Sequence, residues 1–150
     1  MSSQLNVDTI VDKAGSGGTN VKVGNTSTYV SEGGAVTQNT VQSLGKAWAL
    51  LDGTGTIALQ DSFNIGAVSD SGTGDYIFTV SNPFGTANYS VTANGRQSES
   101  PAWTAMTSSV GVLDTDDVRI TSRNTSNTQT DQKQLHTQFM GDLEYWLLVI

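Results

Sequence analysis

The sequence predicts an all-β fold: an extended N-terminal arm over residues 1–45, followed by an antiparallel β-sandwich head over residues 46–150. Three observations carry that reading. Of the 150 residues, 56 are Thr, Ser, Asn or Gln, neutral polar groups that suit strand faces and hydrogen-bonded ladders. Sixteen glycines supply turns at little steric cost. From Lys46 onward, short apolar alternations recur between turn signals, the spacing expected of a sandwich.

The arm comes first. Its apolar residues are small, among them Leu5, Val7, Ile10 and Val11, and Tyr29 is its sole aromatic. Ordering a residue costs about 1–2 kcal/mol of conformational entropy. So little side-chain area cannot offset that within one copy, so the arm is predicted to be an anchor held by other copies or by another protein. In the head, strands are predicted at Ala47–Leu51, Thr56–Ile65, Asp75–Val80, Ser90–Ala93, Trp103–Ser109, Val118–Ser122 and Leu143–Val149. The large apolar groups Trp48, Phe63, Phe78, Tyr89 and Trp146 are predicted to be core. Asn94-Gly95 reads as a hairpin turn, because both central positions of a type I′ turn need positive φ. The polar tract from Thr121 to Gln134 reads as a long loop or an exposed hairpin tip. The closing LEYWLLVI is unbroken in its apolar character and is predicted to be a central strand, or else a subunit interface.

Charge narrows the function classes. Seven basic against fourteen acidic residues leave a net charge of −7, which offers no electrostatic footprint for nucleic acid or an anionic membrane. No cysteine is present, so disulfides and thiolate metal sites are excluded. The longest apolar run, Tyr145 to Ile150, is too short to cross a bilayer as a helix. The N-terminus shows no basic segment followed by an apolar one.

Reactive chemistry is sparse. His136 is the one histidine, and no Gly-x-Ser-x-Gly elbow accompanies it, so it reads as a surface or structural residue rather than a catalytic base. The acids of DSGTGD (Asp70 to Asp75) and DTDD (Asp114 to Asp117) offer oxygen ligands, yet neither segment follows a calcium-loop pattern, and Asp is ordinary turn chemistry. Gly53-Thr-Gly55 and Gly72-Thr-Gly74 are hairpin glycines, since neither pair leads into a lysine or a helix. The reading is therefore non-enzymatic, with no cofactor and no metal. Trp103 reads as a core residue opening a strand, or as a ring for stacking sugars among polar donors. The residues marked as possible receptor contacts are Arg96, Gln97, Trp103, Arg123, Asn124 and Lys133, all within or beside polar loops.

Five short motifs stand in a fixed order: K-A-W at Lys46 to Trp48, G-T-G-T at Gly53 to Thr56, D-S-F-N at Asp61 to Asn64, G-T-G-D-Y at Gly72 to Tyr76 and N-Y-S-V at Asn88 to Val91. This run resembles the C-terminal domains of bacteriophage tail fibre proteins, especially those of phages of marine bacteria and cyanobacteria. The opening SQLNVDTIVDKAGSGG resembles the head that often precedes such domains, although Thr19 to Val30 depart from the usual continuation. The two matches cover roughly half of the chain. The resemblance implies a virion protein made in the host cytoplasm. It implies a homotrimer attached to other virion proteins at one end and presenting a β-rich head at the other. What the head touches is not implied by it, and a host-surface glycan or protein is the partner expected of an attachment role. Two further readings stand beside it: a decoration or fibre protein on the capsid shell, and a carbohydrate-binding module outside any virus.

Overall fold

In the computed structural model of this chain, residues 28–30, 37–39, 43–97 and 107–142 are described. The chain divides into two compact units, Met1–Val41 and Gln42–Ile150. In the first, β1 (Thr28–Val30) and β2 (Thr37–Asn39) pair antiparallel, with Tyr29 opposite Gln38. The predicted anchoring residues Leu5, Val7, Ile10 and Val11 lie outside the described residues.

Among its described residues the second unit holds eight strands: β3 (Ala47–Asp52), β4 (Ala58–Phe63), β5 (Ile65–Gly72), β6 (Asp75–Val80), β7 (Ser90–Arg96), β8 (Thr107–Val112), β9 (Asp117–Arg123) and β10 (Gln134–Met140). They form two antiparallel sheets, ordered β4-β3-β10-β7 and β5-β6-β9-β8. No helix occurs among the described residues. The predicted all-β class and sandwich are thus what the chain adopts.

Alternation explains the core. On β6, Tyr76, Phe78 and Val80 are buried. Val118 and Ile120 of β9 join them from the same sheet, while Ala47, Ala49 and Leu51 of β3 and Leu135 and Phe139 of β10 face them from the other. Phe78 and Phe139 meet across the layers with ring centroids 6.4 Å apart. Phe84 and Tyr89, in the crossing between β6 and β7, stack at 4.0 Å, and the Tyr89 hydroxyl donates to the Asp114 carbonyl at 3.0 Å. Burial, followed by the charges of Asp114, Asp116 and Asp117, pushes the Tyr89 hydroxyl up to about 12.

The motifs that carried the resemblance do structural work. Asn64 of D-S-F-N sits at φ 57 where the chain crosses from β4 to β5. Its side chain donates to the Lys46 carbonyl at 3.0 Å and accepts from the backbone and side-chain amides of Asn82 at 2.9 and 2.7 Å. Asn is among the few non-glycine residues that adopt this conformation readily. In G-T-G-D-Y, Gly74 turns the chain at φ 65, Asp75 pairs with Arg119, and the Tyr76 hydroxyl donates to Asp131 Oδ1 at 3.1 Å.

Several expectations are corrected. Trp48 and Phe63 are not core: they are 40% and 55% exposed, on the outer face of their sheet. Successive strand residues point to opposite faces, so burying Trp48 would turn its neighbours Ala47 and Ala49 outward and bring Asp52 inward. Phe78 and Tyr89 are buried as expected, and Trp146 lies outside the described residues. Asn94-Gly95 makes no turn; both lie within β7, paired with His136 and Leu135. Glycine is required there for a different reason. A Cβ on Gly95 would stand 1.4 Å from Oε1 of Gln132, a fully buried side chain that also reaches Ser108 of β8.

The tract from Thr121 to Gln134 is not one exposed loop. Its first three residues complete β9, and Asp131 and Gln132 are built into the fold through Gly74, Tyr76 and Ser108. Among the described strands, β3, β10, β6 and β9 fill the interior sheet positions. The predicted strand Leu143–Val149 falls outside the described residues. Of the predicted strand Trp103–Ser109, the described residues Thr107 to Ser109 lie in β8, and the remainder falls outside the described residues.

Candidate functional site

The same alternation that fills the core builds an outer surface on the β4-β3-β10-β7 sheet. Trp48 and Leu50 point outward from β3, and Gln134, His136 and Gln138 from β10. The register sets these side chains in rows across four strands. One row runs Phe63, Trp48, Gln138, Thr92, and the next runs Asp61, Leu50, His136, Asn94. With strands about 4.8 Å apart, each row places two apolar or acidic groups beside two polar ones within about 15 Å. Gln60 on β4 is the extra residue at the register shift beside Leu50, a bulge that interrupts the rows along the strand beyond Asp61.

A concavity of about 480 Å³ lies over these rows, lined by Trp48, Leu50, Asp61, Thr92, Asn94, His136 and Gln138 among others. A second hollow of about 460 Å³ shares Asn94 and His136 with it and adds Arg96 and Gln134. The Arg96 Nε–H donates to Gln134 Oε1 at 2.7 Å, which fixes both side chains along the rim. Such a surface offers aromatic rings for stacking and amides, hydroxyls and an imidazole for hydrogen bonding. That is binding chemistry.

The residues marked from sequence fall in three places. Arg96 borders the second hollow, and Gln97 follows it at the end of β7. Lys133 lies at the foot of β10, where its ammonium pairs with Asp52. Arg123 and Asn124 lie away from these rows, in a tight turn: Asn124 Oδ1 accepts from the backbone N–H groups of Ser126 and Thr128 at 3.0 Å, and Arg123 donates to the Asn127 carbonyl at 3.0 Å. Trp103 lies outside the described residues. Sequence reasoning missed Trp48, Phe63, Asp61, Thr92, His136 and Gln138 as a group. Parity was the available signal: Trp48 is in step with Asp52, and Phe63 with Asp61.

The Asp52 carboxyl is held at about 2, below its ordinary 3.8, first by the Lys133 side chain and then by the hydroxyl and backbone N–H of Thr54. A depressed folded-state value means that this stabilisation is present above the unfolded value and is lost as pH falls through the folded one. Urea midpoints followed from about pH 5 to pH 2 should therefore fall less steeply in Asp52→Asn than in the parent. Parallel profiles would show that the pairing adds nothing to stability.

The acids of the β8–β9 turn are explained by the turn. The carboxylates of Asp114, Asp116 and Asp117 lie within 4.8 Å of one another. Asp114 Oδ1 accepts the backbone N–H groups of Asp116 and Asp117 at 3.0 and 2.8 Å, and Asp117 accepts from the Thr79 hydroxyl at 2.6 Å. Those backbone donors hold the Asp114 carboxyl low, while its proximity pushes Asp116 up.

No protein-family model matches the chain, and no curated protein matches it in sequence. In fold it is similar to the phiAB6 tailspike, whose crystal structure is of a complex with three-repeated oligosaccharides of Acinetobacter baumannii surface polysaccharide. The TM-score is 0.55 at 10% identity, covering 95% of this chain and 30% of the tailspike chain. The likeness is one of fold, and this chain spans under a third of the tailspike chain's length.

Proposed function

We propose that this chain is a non-enzymatic structural protein of a phage virion, a tail fibre or tail-tip component that mediates attachment to the host surface. One observation carries the reading: two aromatic rings that an isolated domain would gain by burying are held on an open sheet face beside a row of hydrogen-bonding side chains. Exposed apolar groups rimmed by polar ones mark interaction surfaces. The tailspike-like fold and the tail fibre motifs support a role on the virion, and the short, weakly apolar arm supports association as a homotrimer anchored to other virion proteins.

Competition for adsorption tests the reading. Cells incubated with the purified chain should adsorb the phage that encodes it more slowly, in proportion to the protein added. Undiminished adsorption, with labelled antibody against the chain decorating the capsid shell of intact particles, would replace attachment with the decoration reading.

A further inference from the structure

We infer that the outer face of the β4-β3-β10-β7 sheet binds an uncharged oligosaccharide strand, with Trp48 and Phe63 stacking on sugar rings and Gln138, Thr92, His136 and Asn94 bonding their hydroxyls. This names the ligand class for the face invoked above and rests on the attachment reading for its biological use.

The chemistry of the rows selects that class. Trp48 and Phe63 are register partners on the same sheet face, so both exposed rings are offered on one side, where they suit the C–H faces of pyranose rings. Gln138 and Thr92 extend the same row, and His136 and Asn94 lie in the next. Amide and hydroxyl groups each donate and accept, as a sugar hydroxyl does, and the imidazole adds a further hydrogen-bonding ring. A site for anionic sugars would instead set guanidinium or ammonium groups in the main concavity; Arg96 stands in the neighbouring hollow, with its Nε–H donated to Gln134. The one charged side chain lining the main concavity is the Asp61 carboxylate, and the chain carries −7 overall, which disfavours uronic or phosphorylated sugars there.

A second copy of the chain fits the face less well. The centre of the surface is a concavity of about 480 Å³, within the range of small-ligand sites. A second sheet laid over it would have to fill this open hollow with side chains and supply partners for its amides, or leave them desolvated.

The test uses the full chain on an array of printed bacterial surface polysaccharides, neutral and acidic, with each hit titrated calorimetrically. We expect a neutral polysaccharide to bind. Trp48→Ala should weaken it by about tenfold or more, the loss of roughly one stacking contact, and Gln138→Ala should weaken it as well. Ser69→Ala, on the opposite sheet, should leave affinity unchanged. Urea midpoints of all three variants show whether the fold is retained, and Gln138→Ala keeps the test intact should Trp48→Ala unfold. Binding confined to acidic polysaccharides, binding indifferent to both face variants, or no binding at all would overturn the inference. A change from oligomer to monomer in Trp48→Ala without sugar binding would assign the face to subunit contact. A chain that slows phage adsorption yet binds no polysaccharide refutes the sugar site and keeps attachment. One that binds sugar without slowing adsorption does the reverse.

Discussion

Phe139→Ala is expected to destabilise the sandwich by about 3–5 kcal/mol. Phe139 is fully buried on β10, a strand flanked on both sides by β3 and β7, and its ring meets Phe78 of the opposite sheet. Truncation removes the transfer energy of a large ring and leaves a cavity between two layers whose backbones are hydrogen-bonded and cannot close on it. Domains of this size are stable by only about 5–15 kcal/mol, so the loss should appear as a large drop in the urea midpoint and in soluble yield. Phe63→Ala makes the comparison sharp. The same chemical change at a ring 55% exposed on an edge strand should cost about 0.5 kcal/mol or less. Equal losses at the two positions would contradict the assignment of inner and outer faces.

Those two phenylalanines also show what the sequence could and could not disclose. Strand β6 was legible to the residue, because Tyr76, Phe78 and Val80 alternate with smaller or polar groups and the strand is interior. Strand β10 has equally regular alternation, Leu135, Thr137 and Phe139 against Gln134, His136 and Gln138, but its outer residues are so polar that it merges with the polar tract before it. Strand β5 hides for another reason: register shifts at Gly66 and Ser71 break the period of two, so Ile65 and Val68 both pack against the core three positions apart. Size misled at Trp48 and Phe63, where hydrophobicity argued for burial and parity with Asp52 and Asp61 argued against it. Parity prevails because a strand cannot turn one side chain without turning all of them.

The candidate site was less legible than the fold. Its rows join Asp61, Leu50, His136 and Asn94, residues from four strands separated by long stretches of chain, and only the pairing register brings them together. The loops favoured from sequence proved partly structural. Asn124 shapes a turn, Lys133 holds Asp52, and Gln132 fills the space behind Gly95. Polarity in a β-rich chain thus has two sources, solvent-facing strand residues and buried side chains that satisfy loop backbone. Composition alone does not separate them.

Gly74→Ala is the second substitution expected to have a large effect, about 2–5 kcal/mol of destabilisation. Gly74 turns the chain between β5 and β6 at φ 65, where a side chain is strained. Its backbone is also docked: the carbonyl accepts from the Ser122 N–H at 2.8 Å and the N–H donates to Asp131 Oδ1 at 2.6 Å. An added Cβ would stand 2.7 Å from both the nitrogen and the carbonyl oxygen of Thr130 and 2.8 Å from the Ser122 carbonyl oxygen. All three are backbone atoms, and Ser122 and Thr130 are tied to each other by a further hydrogen bond of 3.2 Å, so no side chain can swing aside to relieve the clash. Gly55 isolates the conformational part of the cost, having φ 64 with nothing within 4 Å of an added Cβ. Gly55→Ala should therefore lose about 1–2 kcal/mol from the left-handed backbone alone, and urea denaturation should place its midpoint clearly above that of Gly74→Ala. Coincident midpoints would mean that the β5–β6 turn is not packed against the segment from Thr128 to Gln132, and that the polar tract contributes less to the fold than its hydrogen bonds indicate.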